Sequence, residues 1–201
     1  MSTQYSLTQR TSQMSNLNTG IGANAPIKVF TGAAPANCGT ADSGTTLVTF
    51  AGNAGGFGTA AAQVLTASAV ASANASAAGV AGYFRIYPSP ATTTNAITQG
   101  TAGQNVVIAT NALTAANGNV LNFASTTGAV VGQNISGTGI VANTTVVAVT
   151  STTVTMSTTS TAGVANAASI TFSYDMVLTN SNIASGQACN FTSLTITAFG
   201  V

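Results

Sequence analysis

The chain has 201 residues, 45% of them hydrophobic, yet only 2% charged, against ~25% in an ordinary globular domain. Arg10, Lys28, Arg85, Asp42 and Asp175 are the only charged side chains, and His, Glu and Trp are absent. The hydrophobic content excludes a typical disordered chain, and three basic residues cannot make a phosphate-binding stripe, which excludes nucleic acid as a partner.

Residues 1–25 predict a polar arm, because Gln, Ser, Thr and Asn dominate without a sustained period and Gly20, Gly22 and Pro26 end the segment. Such an arm either frays or orders on a neighbouring subunit. The start, Met1 to Ser6, has no basic segment followed by an apolar one, so no export signal is expected. From Ile27 the pattern is β. Ile27 to Thr31 predicts a strand, Gly32 to Gly39 a loop, and Thr45 to Phe50 a second strand after the Asp42-Ser43-Gly44 turn. Gly52, Gly55, Gly56 and Gly58 predict a flexible turn.

Between Thr59 and Gly82 alanine invites a helix, but the residues alternate. Leu65, Ala67, Ala69, Ala71, Ala73 and Ala75 fall on one side, and Thr66, Ser68, Val70, Ser72, Asn74 and Ser76 on the other. A period of two predicts a strand with a close-packed alanine face, a helix being the alternative. Polar residues interrupt the stretch too often for a membrane span, so no membrane contact is expected.

Tyr83-Phe84-Arg85-Ile86-Tyr87 is the clearest strand, ended by Pro88 and Pro90. Phe84 and Ile86 share one face, and Tyr83, Arg85 and Tyr87 the other. Arg85 is therefore expected to be paired or to lie at a subunit boundary. Residues 105–172 form a block of their own: Asn119 to Phe123, Thr127 to Gly132, Ile135 to Ile140, a hairpin of Val146 to Val149 with Val154 to Met156, and Ile170 to Phe172. Met176 to Leu178, Ile183 and Phe191 to Thr197 supply the last strands, with a turn at Ser185-Gly186-Gln187.

Short strands with frequent turn signals predict an all-β fold, a β-sandwich or jelly-roll-like host domain over 26–104 and 173–201 carrying an inserted β module at 105–172. Strand edges are normally blunted by Lys, Pro or inward-pointing charge. This chain has little charge to use, so its edges are expected to be covered by partner chains. Near-zero net charge also favours association. Two settings fit, a protein buried in an assembly or an exported adhesin-like one, and the absent signal disfavours the second.

The segment Ile27 to Ala36 followed by Ala41 to Thr45 resembles the opening of a family of small tailed-phage structural proteins. Ala78 to Tyr87 is similar to a second segment of that family, and Asn182 to Gln187 with Thr192 to Thr197 to its end. The resemblance implies a virion protein attached to the capsid shell as a decoration or cement subunit. The family pattern runs almost directly from the Tyr-Phe-Arg-Ile-Tyr strand to the final strand pair; here 105–172 intervene. That block looks like small β modules of phage fibres, through Leu121 to Gly128, Gly137 to Ile140 and Thr144 to Val149.

No constellation carries chemistry. A nucleophilic triad needs a base, and without His neither Cys38 nor Cys189 has an evident activator. The two cysteines are too few for a disulfide scaffold and are expected as free thiols in a protein assembled in the cytoplasm. A glycosidase would need both Asp42 and Asp175, every acid in the chain. Asp42 is expected to cap its own turn, and Asp175 to pair with Arg85 or Lys28. Zinc and calcium sites want ligand clusters that are missing, and Gly52 to Gly58 lacks the Lys-Ser/Thr of a phosphate loop. No catalytic, cofactor-binding or metal-binding residue is expected, and no cofactor.

The expectation is thus a non-enzymatic structural protein of a tailed-phage virion, assembled in the host cytoplasm, a capsid decoration, cement or minor capsid subunit. It would bind the major capsid protein or other virion proteins through β-edge and apolar contacts, and associate with its own copies. The alternative is a neck, tail or fibre component whose inserted module binds a host receptor or glycan. Tyr83 and Tyr87 are the candidates for a sugar-stacking face, although strand aromatics more often pack.

Overall fold

The computed structural model describes residues 5–54, 57–68, 70–90 and 95–197. The chain divides into two compact units: Met1–Gly103 with Asp175–Val201 (unit 1), and Gln104–Tyr174 (unit 2). Composition and pattern place the boundaries at 104/105 and 172/173, one or two residues from these.

Unit 1 begins with a helix, α1 (Leu7–Ile21), within the segment expected to be an arm. Ser6 caps it, its Oγ accepting from the Gln9 N–H at 3.2 Å. Met14 and Ile21 are buried and Leu17 packs against the same core, so a spacing of three and four puts three apolar side chains on one face. Hydroxyls that usually compete with a helix are satisfied inside it. Thr11, Ser12, Ser15 and Thr19 each donate to the carbonyl four residues back, at 2.9–3.2 Å. Asn18 fixes the helix to the following chain, accepting from Phe57 N at 3.0 Å and donating to Gly58 O at 2.6 Å. Gly52 and Gly58 of the expected Gly-rich turn flank this anchor; Gly55 and Gly56 lie outside the described residues.

The strands of unit 1 before the insertion are β1 (Pro26–Thr31), β2 (Thr46–Ala51), β3 (Ala60–Ala61), β4 (Val64–Thr66), β5 (Ala73–Asn74), β6 (Gly79–Ile86) and β7 (Thr98–Gly103). Unit 2 contributes β8 (Val106–Ala109), β9 (Val120–Asn122), β10 (Asn134–Ser136), β11 (Val146–Val149), β12 (Thr153–Met156) and β13 (Ser169–Ser173). Unit 1 resumes with β14 (Met176–Leu178), β15 (Asn182–Ile183), β16 (Ala188–Cys189) and β17 (Phe191–Thr197). The all-β class is as the strand spacing predicts.

In unit 1 one nine-stranded curled sheet runs β2-β1-β6-β7-β14-β17-β4-β3, with β15 also on β6, and β16 pairs β5 separately. Its core holds Ile27, Val29, Leu47, Phe50, Leu65, Phe84, Ile86, Ala102, Met176 and Leu194, all of them buried. The Ala-rich stretch is not one strand. It is β4 and β5 joined by irregular chain, and Ala69 lies outside the described residues. Leu65 and Ala75 are buried while Thr66, Ser72, Asn74 and Ser76 are exposed, so the alternation holds at the ends; Ala71 is exposed. Alanine buries little area and has low β propensity, so only segments with a pairing partner stay extended. The outer edge of β2 is partly covered by the chain itself: Ser76 N donates to Leu47 O at 2.8 Å.

Unit 2 consists of two antiparallel three-stranded sheets, β10-β13-β8 and β11-β12-β9. Leu121, Phe123, Ile135, Val146, Val154, Met156, Ile170 and Phe172 from both sheets make its core, with Phe123 and Phe172 edge to face at 5.7 Å. Single bridges join the sheets, Thr110 to Phe123 at one seam and Asn134 to Thr145 at the other. The expected β11–β12 hairpin closes with Thr150 N donating to Thr153 O at 2.9 Å.

The strands that lead into and out of unit 2, β7 and β14, are parallel neighbours, with Ala102 beside Met176. The Asp175 carboxylate fastens them, accepting from Thr101 N and Thr101 Oγ1, both at 2.9 Å. The register slip between β1 and β6 leaves Gly82 as the extra residue, and a Cβ there would lie 1.9 Å from Gly32 O. Gly82→Ala should therefore destabilise the protein by about 1–3 kcal/mol, seen as a lower denaturation midpoint with an unchanged slope. An unchanged midpoint would show that this close approach does not constrain the sheet.

Candidate functional site

A dense polar cluster lies on the face of β6 that carries Tyr83, Arg85 and Tyr87. The register places Lys28 of β1, Arg85 of β6 and Gln99 of β7 side by side across three strands. The connection between β1 and β2, residues 32–45, folds over this row. Arg85 is consequently only 1% exposed.

A buried guanidinium is tolerated only when its donors are met. Arg85 Nη1 donates to Thr40 O and to Asp42 Oδ1, each at 2.8 Å. Nη2 donates to Asn37 O at 3.0 Å and to Gln99 Oε1 at 2.8 Å. Nε donates to Gln99 Oε1 at 3.1 Å. All five N–H donors of the side chain are engaged. Gln99 in turn donates through Nε2 to Pro35 O at 2.7 Å.

The loop shapes itself to meet these donors. Asn37 Oδ1 accepts from Gly39 N and Thr40 N at 3.0 Å, a local turn that aims the Asn37 and Thr40 carbonyls at the guanidinium. Tyr83 Oη donates to Ser43 O and accepts from Ser43 N at 3.0 Å. The Tyr83 ring stacks on Phe30, with centroids 4.9 Å apart and planes 10° from parallel. Tyr87 Oη donates to Asp42 Oδ1, and Lys28 Nζ lies 4.6 Å from the Tyr87 ring centroid. A cavity of about 300 Å³ opens beside the cluster, lined by Gly39, Thr40, Ala41, Asp42, Arg85 and Asn95.

The electrostatics are those of a fastener. Burial, followed by the hydrogen bond and charge of Asp42, holds the Tyr87 phenol well above its ordinary ionisation range. The phenol keeps its proton and directs it at Asp42. Arg85 has no donor left for an incoming oxyanion, and among the described residues no nucleophile with an activating base adjoins the cavity. Burial also raises the Cys189 thiol, which works against thiolate formation.

Several expectations are corrected here. Asp42 does not cap its own turn; it takes the Arg85 and Tyr87 donors. The ion pair of Arg85 is with Asp42, while Asp175 accepts from Thr101 at the strands flanking unit 2. Tyr83 and Tyr87 are 1% and 9% exposed, with one ring stacked on Phe30 and the other beneath Lys28, so neither offers a face to a sugar. Cys38 is half-buried, Cys189 is buried, and both are free thiols. Among the described residues no three His, Cys, Asp or Glu side chains come together. No helix is long and apolar enough to cross a membrane among the described residues.

Sequence reasoning missed Asn37, Gln99 and Thr101. Their signal was indirect: an arginine on a strand flanked by aromatics needs acceptors, and the nearest loop and neighbouring strand supply them. In comparisons with known proteins, no family model, no curated protein and no solved structure matches this chain.

Replacing Arg85 with Met leaves Asp42, Gln99 and two carbonyls short of donors, and should destabilise the protein by about 3–5 kcal/mol. Arg85→Lys should not restore it, because an ammonium cannot reproduce the planar fork. Chemical denaturation of the two variants measures both effects, and a near-neutral Arg85→Met would refute the clasp.

Tyr87 gives a pH dependence of definite sign. An unfolded tyrosine ionises near pH ~10, and the folded phenol holds its proton to higher pH. Its contribution is full below pH ~10 and declines as pH rises towards the folded value, because the unfolded chain sheds its proton first. The wild-type unfolding free energy should fall above pH ~10, and less steeply in Tyr87→Phe. Parallel slopes would remove Tyr87 as the cause.

Proposed function

We propose that this chain is a non-enzymatic structural subunit of a tailed-phage particle, attached to the capsid shell as a decoration or cement protein. One observation carries the non-enzymatic half of the reading. Arg85, Asp42 and Tyr87, the ionisable side chains at the centre of the polar cluster, are committed to holding residues 32–45 rather than to meeting a substrate.

The particle half is supported by the resemblance and by where its residues fall. Ile27 to Thr45 comprises β1 and the loop clasped by Arg85, Ala78 to Tyr87 contains β6, and the third segment contains β15 and most of β17. β1 and β15 both pair with β6, and β17 lies in the same sheet. Segments far apart in sequence therefore converge on one substructure of unit 1. The departure from the family pattern is unit 2, a separately cored insertion.

A second reading has one observation in its favour. Val107, Leu113, Val120, Val130, Val131 and Val147 of unit 2 are exposed large apolar side chains, which suits a unit that presents a surface. In a neck, tail or fibre component that surface would meet a host receptor. Copy number separates the two: many copies spread over the shell support decoration, and a few at one vertex support neck or tail.

Attachment through main-chain and apolar contacts should be nearly independent of salt. Between ~0.1 and ~1 M NaCl the screening length falls from ~10 to ~3 Å, which weakens exposed ion pairs and little else. Sedimentation of particles with bound protein should show the same retention across that range. Release by high salt would refute attachment by neutral contacts.

A further inference from the structure

Unit 2 completes its own hydrogen bonding. At one seam between its sheets Asn111 N donates to Asn122 O at 2.9 Å, and at the other Ile135 N donates to Thr144 O at 2.8 Å. The sheets therefore join into a ring, β8-β13-β10-β11-β12-β9 and back to β8, in which every strand has a neighbour on both sides. A closed ring removes the edges that would otherwise need a partner. Its core is drawn from its own residues, and so is the core of unit 1. The ends of unit 2 are tied by Val106 opposite Phe172 and by Tyr174 N, which donates to Asn105 Oδ1 at 3.1 Å.

Unit 1 closes across the same boundary by itself. Asp175 Oδ2 accepts from Thr101 N and Thr101 Oγ1, both at 2.9 Å, and Asp175 N donates back to Thr101 Oγ1 at 3.1 Å. Asp175 O accepts from Thr195 N at 3.0 Å, which ties the same residue to β17. A Cβ on Gly100 would lie 2.7 Å from Asp175 Oδ2, so the carboxylate packs directly on the β7 main chain.

We infer that the Asp175–Thr101 pair uncouples the two units: unit 2 opens and recloses while unit 1 stays folded, and a loss of stability in one is not passed to the other. Without the pair, β7 and β14 share only the ladder positions Ala102–Met176 and Gly103–Val177. They would then depend on the stem of unit 2 to stay together. Regions open separately where each has its own core and satisfies its own main chain. The pair supplies that condition at the one place where unit 1 is interrupted.

Amide hydrogen exchange on the full chain, read by mass spectrometry where the rate reports the opening equilibrium, tests the uncoupling. Val154→Ala truncates a fully buried side chain of unit 2. It should speed exchange in β9, β12 and β13 by ~10-fold or more and leave β1, β2 and β6 at wild-type rates. If the variant loses unit 2 altogether, unchanged rates in β1, β2 and β6 are still the expected result. Equal acceleration in both units would overturn the inference. Thr101→Val keeps the side-chain shape and removes the hydroxyl that bonds Asp175 in both directions. In that background Val154→Ala should also speed exchange in β7 and β14, by a factor of about 3 or more, because those strands now rely on unit 2. Rates in β7 and β14 that respond no more than they do with Thr101 in place would overturn the role of the pair.

Discussion

A single buried guanidinium organises the outer face of unit 1. Taking a charge out of water costs several kcal/mol, and the loss is recovered only if every donor finds an acceptor in good geometry. Arg85 therefore dictates its surroundings. It requires carbonyls from Asn37 and Thr40, a carboxylate from Asp42 and an amide oxygen from Gln99, and these fix the path of residues 32–45. The neighbouring Lys28 is accommodated by the Tyr87 ring, whose hydroxyl is turned to Asp42. Asp175 acts in the same way at another point, fastening Thr101 where the chain passes between the units. Arg85, Asp42 and Asp175, charges that most proteins would leave to water, work here as fasteners.

Unit 2 reaches the same end without charge. Its buried polar side chains are Thr110, Thr114, Thr126, Gln133, Thr144 and Ser160. Each donates to a main-chain carbonyl: Thr110 to Ala165, Thr114 to Val120, Thr126 to Thr150, Gln133 to Gly128, Thr144 to Val141 and Ser160 to Ala115. Several of these bonds lie near the seams between the sheets, where the ladder is reduced to single bridges. Hydroxyl staples neither titrate nor respond to screening. No charged side chain takes part in these bonds, since none occurs between Gln104 and Tyr174.

The sequence made some of this legible and hid the rest for physical reasons. The strands from Ile27, Thr45 and Tyr83 stood out because β-branched and aromatic residues mark a pleated surface. The division near 104 and 173 showed as a change in pattern. α1 was hidden because three apolar residues, Met14, Leu17 and Ile21, sit among hydroxyl and amide side chains, and its stability comes from packing rather than propensity. The Ala-rich stretch misled through a regular alternation that most of its residues have no sheet partner to exploit. With only two acids, the partner of Arg85 was a choice between Asp42 and Asp175, and sequence separation carried no information about it. The faces of the Tyr83 strand were read correctly, but the burial of both was not, because nothing in the loop sequence announced that it would fold back over Arg85.

The manner of insertion bears on how far the two units depend on each other. Parallel neighbours normally require a crossover connection, and between β7 and β14 all of unit 2 serves as that connection. β14 begins where β7 ends, since Asp175 N donates to Thr101 Oγ1 at 3.1 Å. The stems within unit 2 are likewise closed, with Val106 opposite Phe172 and Tyr174 N donating to Asn105 Oδ1 at 3.1 Å. Each unit thus closes its own ends, and the length of the intervening chain adds little loop-closure entropy to unit 1. A host unit fastened in this way can accept or lose an insertion without re-forming its sheet.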